Sequence, residues 1–151
     1  MTYSSEIIVN VPLRKFIKLF DNVENMKHWQ DGLVDIEHLS GDPGMVGAKM
    51  KLTYANGTRK MVLIETVTHN KLPREFHGTY TADGLVNNIE NHFVELPNGS
   101  TKWTTICNYL PLNFKMRAML GLMPNAFKKQ TMKYMKNFKN FAENGQSVSN
   151  A

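Results

Sequence analysis

Hydrophobic and polar positions change period along the chain, and each change predicts an element. Tyr3–Asn10 is short and rich in β-branched residues, which reads as a strand. Pro12 then opens a helix, because a proline lacks only an N–H that the first turn leaves unpaired anyway. Asn10 is the candidate cap just upstream. Leu13, Phe16, Ile17 and Phe20 repeat at helical spacing. Asp21 or Asn22 is positioned to cap a second short helix, Val23–Gln30, which carries Met26 and Trp29 and ends before Gly32.

From Val34 the period becomes two, which is strand spacing. Val34, Ile36 and His38 alternate with Asp35 and Glu37, and Met50, Leu52 and Tyr54 alternate with Lys49, Lys51 and Thr53. Asn56-Gly57 predicts a hairpin with a type I′ turn. Further strands are expected over Arg59–His69, around Phe76–Tyr80, over Val86–Leu96 and over Thr101–Leu110. Turn-forming Gly, Pro and Asn clusters separate them. Six strands with only short turns between them predict an antiparallel meander, not a βαβ series.

Residues 112–143 return to helical spacing. Met116, Met119, Leu120, Met123, Phe127, Thr131, Tyr134, Met135, Phe138 and Phe141 form one stripe, and lysines occupy much of the opposite face. Pro124 interrupts the stripe. A proline inside a helix removes a hydrogen bond and clashes with the preceding turn, so a break is expected there and 125–143 is the long helix. Residues 1–145 read as one domain and 146–151 as a flexible tail.

Composition narrows the function classes. The chain of 151 residues suits a single core. It has no run of about 18 apolar residues and no basic segment leading into an apolar one, so no membrane span or signal peptide is expected. Cys107 is the single cysteine, which agrees with a reducing, cytoplasmic setting. Net charge is +5, distributed unevenly. Residues 111–151 hold Lys115, Arg117, Lys128, Lys129, Lys133, Lys136 and Lys139 against Glu143 alone, so the earlier residues are close to neutral. Two readings stay open: a solvated outer helix face, or weak contact with an anionic membrane or an acidic protein. No exposed aromatic platform interleaves with these cations, so nucleic acid is not an expected partner.

The order of elements is strand, two short helices, six-stranded meander, long terminal helix. Ile7-Ile-Val-Asn-Val-Pro12 before a helix, Trp29 near the end of the second helix, Gly44-Met-Val-Gly47-Ala-Lys-Met and Asn98-Gly-Ser-Thr101-Lys-Trp stand in matching places. Over about residues 3–143 the chain resembles the START-like superfamily, the group of birch-pollen-allergen-like proteins, polyketide cyclases and activator-of-Hsp90-ATPase relatives. The resemblance implies an α+β helix-grip fold. A seven-stranded curved antiparallel sheet of order β-α-α-β6-α would carry a long C-terminal helix across its concave face. It also implies a cavity for a hydrophobic small molecule or lipid, without a cofactor. Two further activities come with it: a cyclase- or dehydratase-like enzyme, and a chaperone-cofactor-like interaction module.

Alternation assigns the residues that would face such a cavity: Tyr54, Phe76, Tyr80, Asn91, Phe93, Trp103 and Tyr109 from the sheet, and Met119, Met123, Phe127 and Met135 from the helix. Asn91, between apolar neighbours on an inward face, needs a partner: water, a side chain such as Tyr80 or Tyr109, or a ligand. Glu65, between Leu63 and Val67, is the candidate acid or base, and Cys107 reads as a small buried hydrophobe. The glycines at 41, 44 and 47 fit no phosphate-loop spacing. None of His28, His38, His69, His77 and His92 forms H-x-x-x-H, and Cys107 has no cysteine partner, so no metal site is expected. His77 and His92 read as outward-facing.

Overall fold

A computed structural model of the protein describes residues 1–149. Its strands are β1 Thr2–Val9, β2 Leu33–Ser40, β3 Lys49–Asn56, β4 Arg59–Lys71, β5 Glu75–Ala82, β6 Leu85–Glu95 and β7 Thr101–Pro111. They form one antiparallel curved sheet of order β1-β7-β6-β5-β4-β3-β2. The first strand pairs with the last, and the helices α1 (Leu13–Phe20) and α2 (Met26–Trp29) carry the chain from one sheet edge to the other. Strand alternation follows the expected register: Leu52, Tyr54, Glu65, Val67, Gly78, Asn91, Phe93, Trp103, Thr105, Cys107 and Tyr109 are all buried.

Several local expectations are corrected. The β3–β4 hairpin pairs Asn56 with Arg59, so its two central residues are Gly57 and Thr58. Only Gly57 has a positive φ, +63°, which is the type II′ requirement instead of I′. Asn10 does not cap α1. Its side chain accepts from Ser100 Oγ at 3.2 Å, and the free N–H of Leu13 is taken by Glu95 Oε1 at 3.0 Å. Asn22 does cap, accepting from the Glu24 N–H at 3.0 Å, but the turn it opens is a short 3-10 segment that precedes α2.

The terminal helix is two helices, α3 (Phe114–Leu122) and α4 (Ala126–Asn144), separated at Pro124. Asn113 caps α3 by accepting from Met116 N–H at 2.8 Å. Gly145 closes α4 in the left-handed region, φ +70°, with its N–H on the Phe141 carbonyl and that of Gln146 on Asn140. Beyond Gly145, two contacts join the segment to α2. Val148 N–H donates to the His28 carbonyl at 3.1 Å, and Ser147 Oγ lies 2.8 Å from His28 Nδ1. Residues 150–151 lie outside the described residues.

The α4 helix packs against β1 and α2. Its buried residues, Met135, Phe138 and Ala142, all lie in its C-terminal half. They meet an aromatic cluster of Phe16, Phe20, Trp29, Phe93 and Trp103. The N-terminal half, with Phe127, Gln130 and Thr131, stands over a space that the sheet does not fill. That asymmetry positions the site.

Candidate functional site

Two neighbouring compartments lie between the helices and the sheet. The first, about 220 Å³, is roofed by Phe127, Gln130, Thr131, Tyr134 and Met135 of α4 and floored by β3 to β7. The second, about 320 Å³, lies toward α1, α2 and the β2–β3 end and includes Met50, Glu65 and Phe76. Phe20, Trp29, Gln30 and Tyr80 belong to the walls of both. The Tyr80 ring lies over Gly78, where a Cβ would meet the Thr66 carbonyl oxygen at 3.3 Å and the ring at 3.4 Å.

Polar groups in the walls are few, and most are paired. Tyr54 Oη donates to Gln30 Oε1 at 2.5 Å, and Trp103 Nε1 donates to Asn91 Oδ1 at 2.9 Å. The partner that Asn91 required is therefore the neighbouring indole. Two buried atoms have no hydrogen-bond partner among the described residues: the donor Trp29 Nε1 and the acceptor Asn87 Oδ1. Both residues line the first compartment. A buried polar atom left unpaired is destabilising by roughly 1–3 kcal/mol, so such atoms call for an explanation.

Burial disfavours the charged form of the ionisable groups at the centre of the site. Burial pushes the phenols of Tyr54 and Tyr80 well above their ordinary value, and that of Tyr134 to about 12. The Cys107 thiol is also raised by burial, which leaves little thiolate for nucleophilic chemistry. Glu65 is buried with only 6% of its surface exposed, and accepts from Tyr80 Oη at 2.5 Å. Burial raises its carboxyl above the usual range, and the tyrosine bond offsets this only in part. A carboxyl raised in the folded state adds stability when protonated and loses that contribution as pH rises through the raised value. Glu65→Gln keeps an acceptor for Tyr80 and is neutral at every pH. It is expected to melt higher than the parent at pH 8, with the advantage shrinking toward pH 4. Each 1 kcal/mol would read as about 2–4 °C in a thermal melt.

Of the expected lining residues, the structure gathers Tyr54, Tyr80, Asn91, Trp103, Tyr109, Phe127 and Met135 around the first compartment and places Phe76 on the second. Three are elsewhere. Phe93 is sealed in the aromatic cluster between Phe16 and Trp103. Met119 and Met123 lie on and just after α3, which covers the β7 end of the sheet, and Met123 is half exposed. The break at Pro124 turns them away from the stripe that continues in α4. Asn87 and Trp29 were missed as lining residues. Asn87 lies two residues before Ile89 on the same alternation, so its inward face was readable. Trp29 reads as ordinary helix core until its indole N–H is seen unpaired.

No protein-family profile and no curated protein sequence matches the chain. Solved structures do match. One is the ZhuI aromatase/cyclase from Streptomyces sp. R1128, at TM-score 0.78 and 11% identity over 95% of this chain and 93% of that one. The chain has the helix-grip fold. Another match is the major latex-like protein 151 of Panax ginseng, at TM-score 0.74 and 10% identity, covering 95% of this chain and 97% of that one. A third is TTHA0849 from Thermus thermophilus, at TM-score 0.77 and 11% identity, covering 97% of this chain and 100% of that one. At these identities the likeness is one of fold, and function rests on the site itself. Among the described residues no helix is long and apolar enough to cross a membrane.

Proposed function

We propose that the protein binds one small, mainly apolar molecule in the compartment under α4. The observation that carries this reading is an apolar chamber containing two unpartnered buried polar atoms of opposite kind. Such sites use apolar walls for affinity and a few placed polar groups for orientation. The occupant would present an acceptor to Trp29 Nε1 and a donor to Asn87 Oδ1. Titration with N-phenyl-1-naphthylamine, an uncharged apolar fluorophore, tests it. Saturable enhancement at one probe per chain is expected, and a linear, unsaturable signal would refute the reading.

A second reading is supported by the Glu65–Tyr80 pair in the wall of the second compartment, together with the likeness in fold to an aromatase/cyclase. A carboxyl whose proton affinity is raised by burial and that is bonded to a phenol suits proton transfer to an apolar substrate. Under that reading Glu65→Gln removes turnover and leaves probe binding in the first compartment intact.

The molecule would be collected from or delivered to an anionic bilayer. Leu112, Phe114, Leu122 and Met123 are all exposed, Phe114 at 81% and Leu122 at 83%. Lys115, Arg117, Lys128 and Lys129 flank them, and no acidic residue occurs between Glu95 and Glu143. Cations near an anionic surface contribute about 1 kcal/mol each, and the apolar residues supply insertion. Co-sedimentation is expected with phosphatidylserine-containing vesicles but not with pure phosphatidylcholine. High salt or the double change Phe114→Asp with Leu122→Asp would release the protein. Equal pelleting with both vesicle types would count against this contact.

A further inference from the structure

The outer face of the sheet carries a side-chain cluster that the cavity does not use. His69 comes from β4, Glu75 and His77 from β5, and Glu90 and His92 from β6. Alternation puts the β5 and β6 members on the face opposite Gly78 and Asn91, and the bulge in β4 between Val67 and His69 brings His69 to that face as well. Register stacks them across the strands: His69 stands against His77, His77 against Glu90, and Glu75 against His92. The His69 and His77 rings lie 4.7 Å apart, centre to centre, and the His77 and His92 rings 5.1 Å apart.

Glu75 is the hub. Its Oε2 is 3.4 Å from His69 Nε2, and its Oε1 is 3.6 Å from His77 Nε2 and 3.2 Å from His92 Nδ1. These separations exceed the roughly 2.7–2.9 Å of a charge-assisted hydrogen bond. They approach the spacing of about 3.3–3.4 Å between donors that share a tetrahedral zinc ion at 2.0–2.1 Å. We propose that His69 Nε2, His77 Nε2 and the Glu75 carboxylate form a binding site for a divalent transition-metal ion of the zinc class.

The donor set decides the ion. Two imidazoles and one carboxylate suit zinc, cobalt, nickel or copper, whereas magnesium and calcium take oxygen ligands. One donor atom from each of the three residues lies within 4.8 Å of the other two, so side-chain rotation alone brings them onto one ion. His92 Nδ1 stands next to Glu75 Oε1 and orients the carboxylate. Glu90 Oε1, 3.9 Å from His77 Nε2, is within reach of the fourth position, which water fills otherwise.

One contact limits the affinity. The Asn91 N–H donates to His77 Nδ1 at 3.2 Å, which places the neutral imidazole's proton on Nε2, facing the carboxylates. An ion on Nε2 displaces that proton and gives up the Asn91 bond. Binding is therefore expected in the micromolar range, below that of a closed structural zinc site. The ion would link β4 to β5 directly, and these strands carry Glu65 and Tyr80 on their other face.

The test is a Zn2+ titration of chelator-treated protein against a chromophoric competitor, with Co2+ as the spectroscopic probe. One ion per chain is expected, with visible Co2+ bands of four- or five-coordinate intensity and a higher melting temperature with metal. His69→Gln and Glu75→Gln, both on the outer face, should each weaken binding about 100-fold while apo-protein melting stays near the parent. His28→Ala should leave binding unchanged. Two results overturn the site: no binding at a hundred micromolar, or one-to-one binding that both Gln variants retain. His69→Gln does not touch the Asn91 contact, so it separates metal loss from damage to the β5–β6 ladder.

Discussion

Thr131→Trp is expected to reduce binding of N-phenyl-1-naphthylamine by about 10- to 150-fold without unfolding the protein. Thr131 is half-buried in the N-terminal half of α4 and lines the first compartment, its hydroxyl bonded to the Phe127 carbonyl at 3.1 Å and in contact with Cys107 Sγ at 3.9 Å. An indole at this position extends into the space that the probe would occupy. Burying an aromatic group of the probe's kind contributes about 1.5–3 kcal/mol, and each 1.4 kcal/mol is tenfold in affinity. The residues that hold α4 down, Met135, Phe138 and Ala142, begin a full turn further along the helix. The melting temperature should therefore change by little, or rise if the indole fills the void well. Lys136→Ala, on the exposed face, is the matched control and should bind the probe as the parent does. Undiminished binding in Thr131→Trp would mean the probe sits elsewhere.

Phe138→Ala is expected to be the most destabilising single truncation of α4. Phe138 is fully buried, with ring centres 4.7 Å from Phe16, 5.5 Å from Trp29, 5.5 Å from Trp103 and 6.0 Å from Phe20. It therefore joins α1, α2, β7 and α4 through one side chain. Removing a buried phenylalanine costs about 3–5 kcal/mol, because the lost contacts leave a void that the neighbours fill only in part. In a domain of this length that corresponds to a fall of roughly 6–20 °C in a thermal melt. Lys136→Ala should stay within about 0.5 kcal/mol. A Phe138→Ala melt within 2 °C of the parent would show that α4 is held by something other than this cluster.

These two residues lie on one helical stripe, and the sequence treats them alike. Thr131 and Phe138 are seven residues apart, on the same face of α4. Their different roles come from what faces them. Phe138 meets a large aromatic cluster assembled from α1, α2, β6 and β7, whereas Thr131 meets the smaller cluster of Leu85, Cys107, Tyr109 and Leu120, beside which the first compartment stays open. The methionines show the same limit. Met119 and Met123 share the stripe's periodicity with Met135, but the chain direction changes at Pro124, and only Met135 reaches the cavity. The proline told where the helix would break. How far the two pieces would diverge depended on Asn113 capping α3 and on Tyr3 Oη reaching the Pro124 carbonyl, both of them contacts made after folding.

What local chemistry dictates was legible in the order of residues alone. Period-two alternation marked the inward faces of β3 to β7, because a strand turns successive side chains to opposite sides. The i, i+3, i+4 stripe marked the helices, and short turns between strands left an antiparallel meander as the topology. Other features required the tertiary structure because they depend on residues distant in sequence and adjacent in space. The pairing of Asn91 with Trp103, the unpaired Trp29 and Asn87 atoms, and the Glu65–Tyr80 bond are of this kind. So is the grouping of His69, Glu75 and His77, which strand register brings together and linear spacing does not reveal. The long helix over a sheet was thus written in the periodicity of the chain. The cavity was decided only by packing, since the C-terminal half of that helix is sealed onto the aromatic cluster while the N-terminal half meets the sheet mainly through Phe127 on Tyr109 and leaves a space beside it.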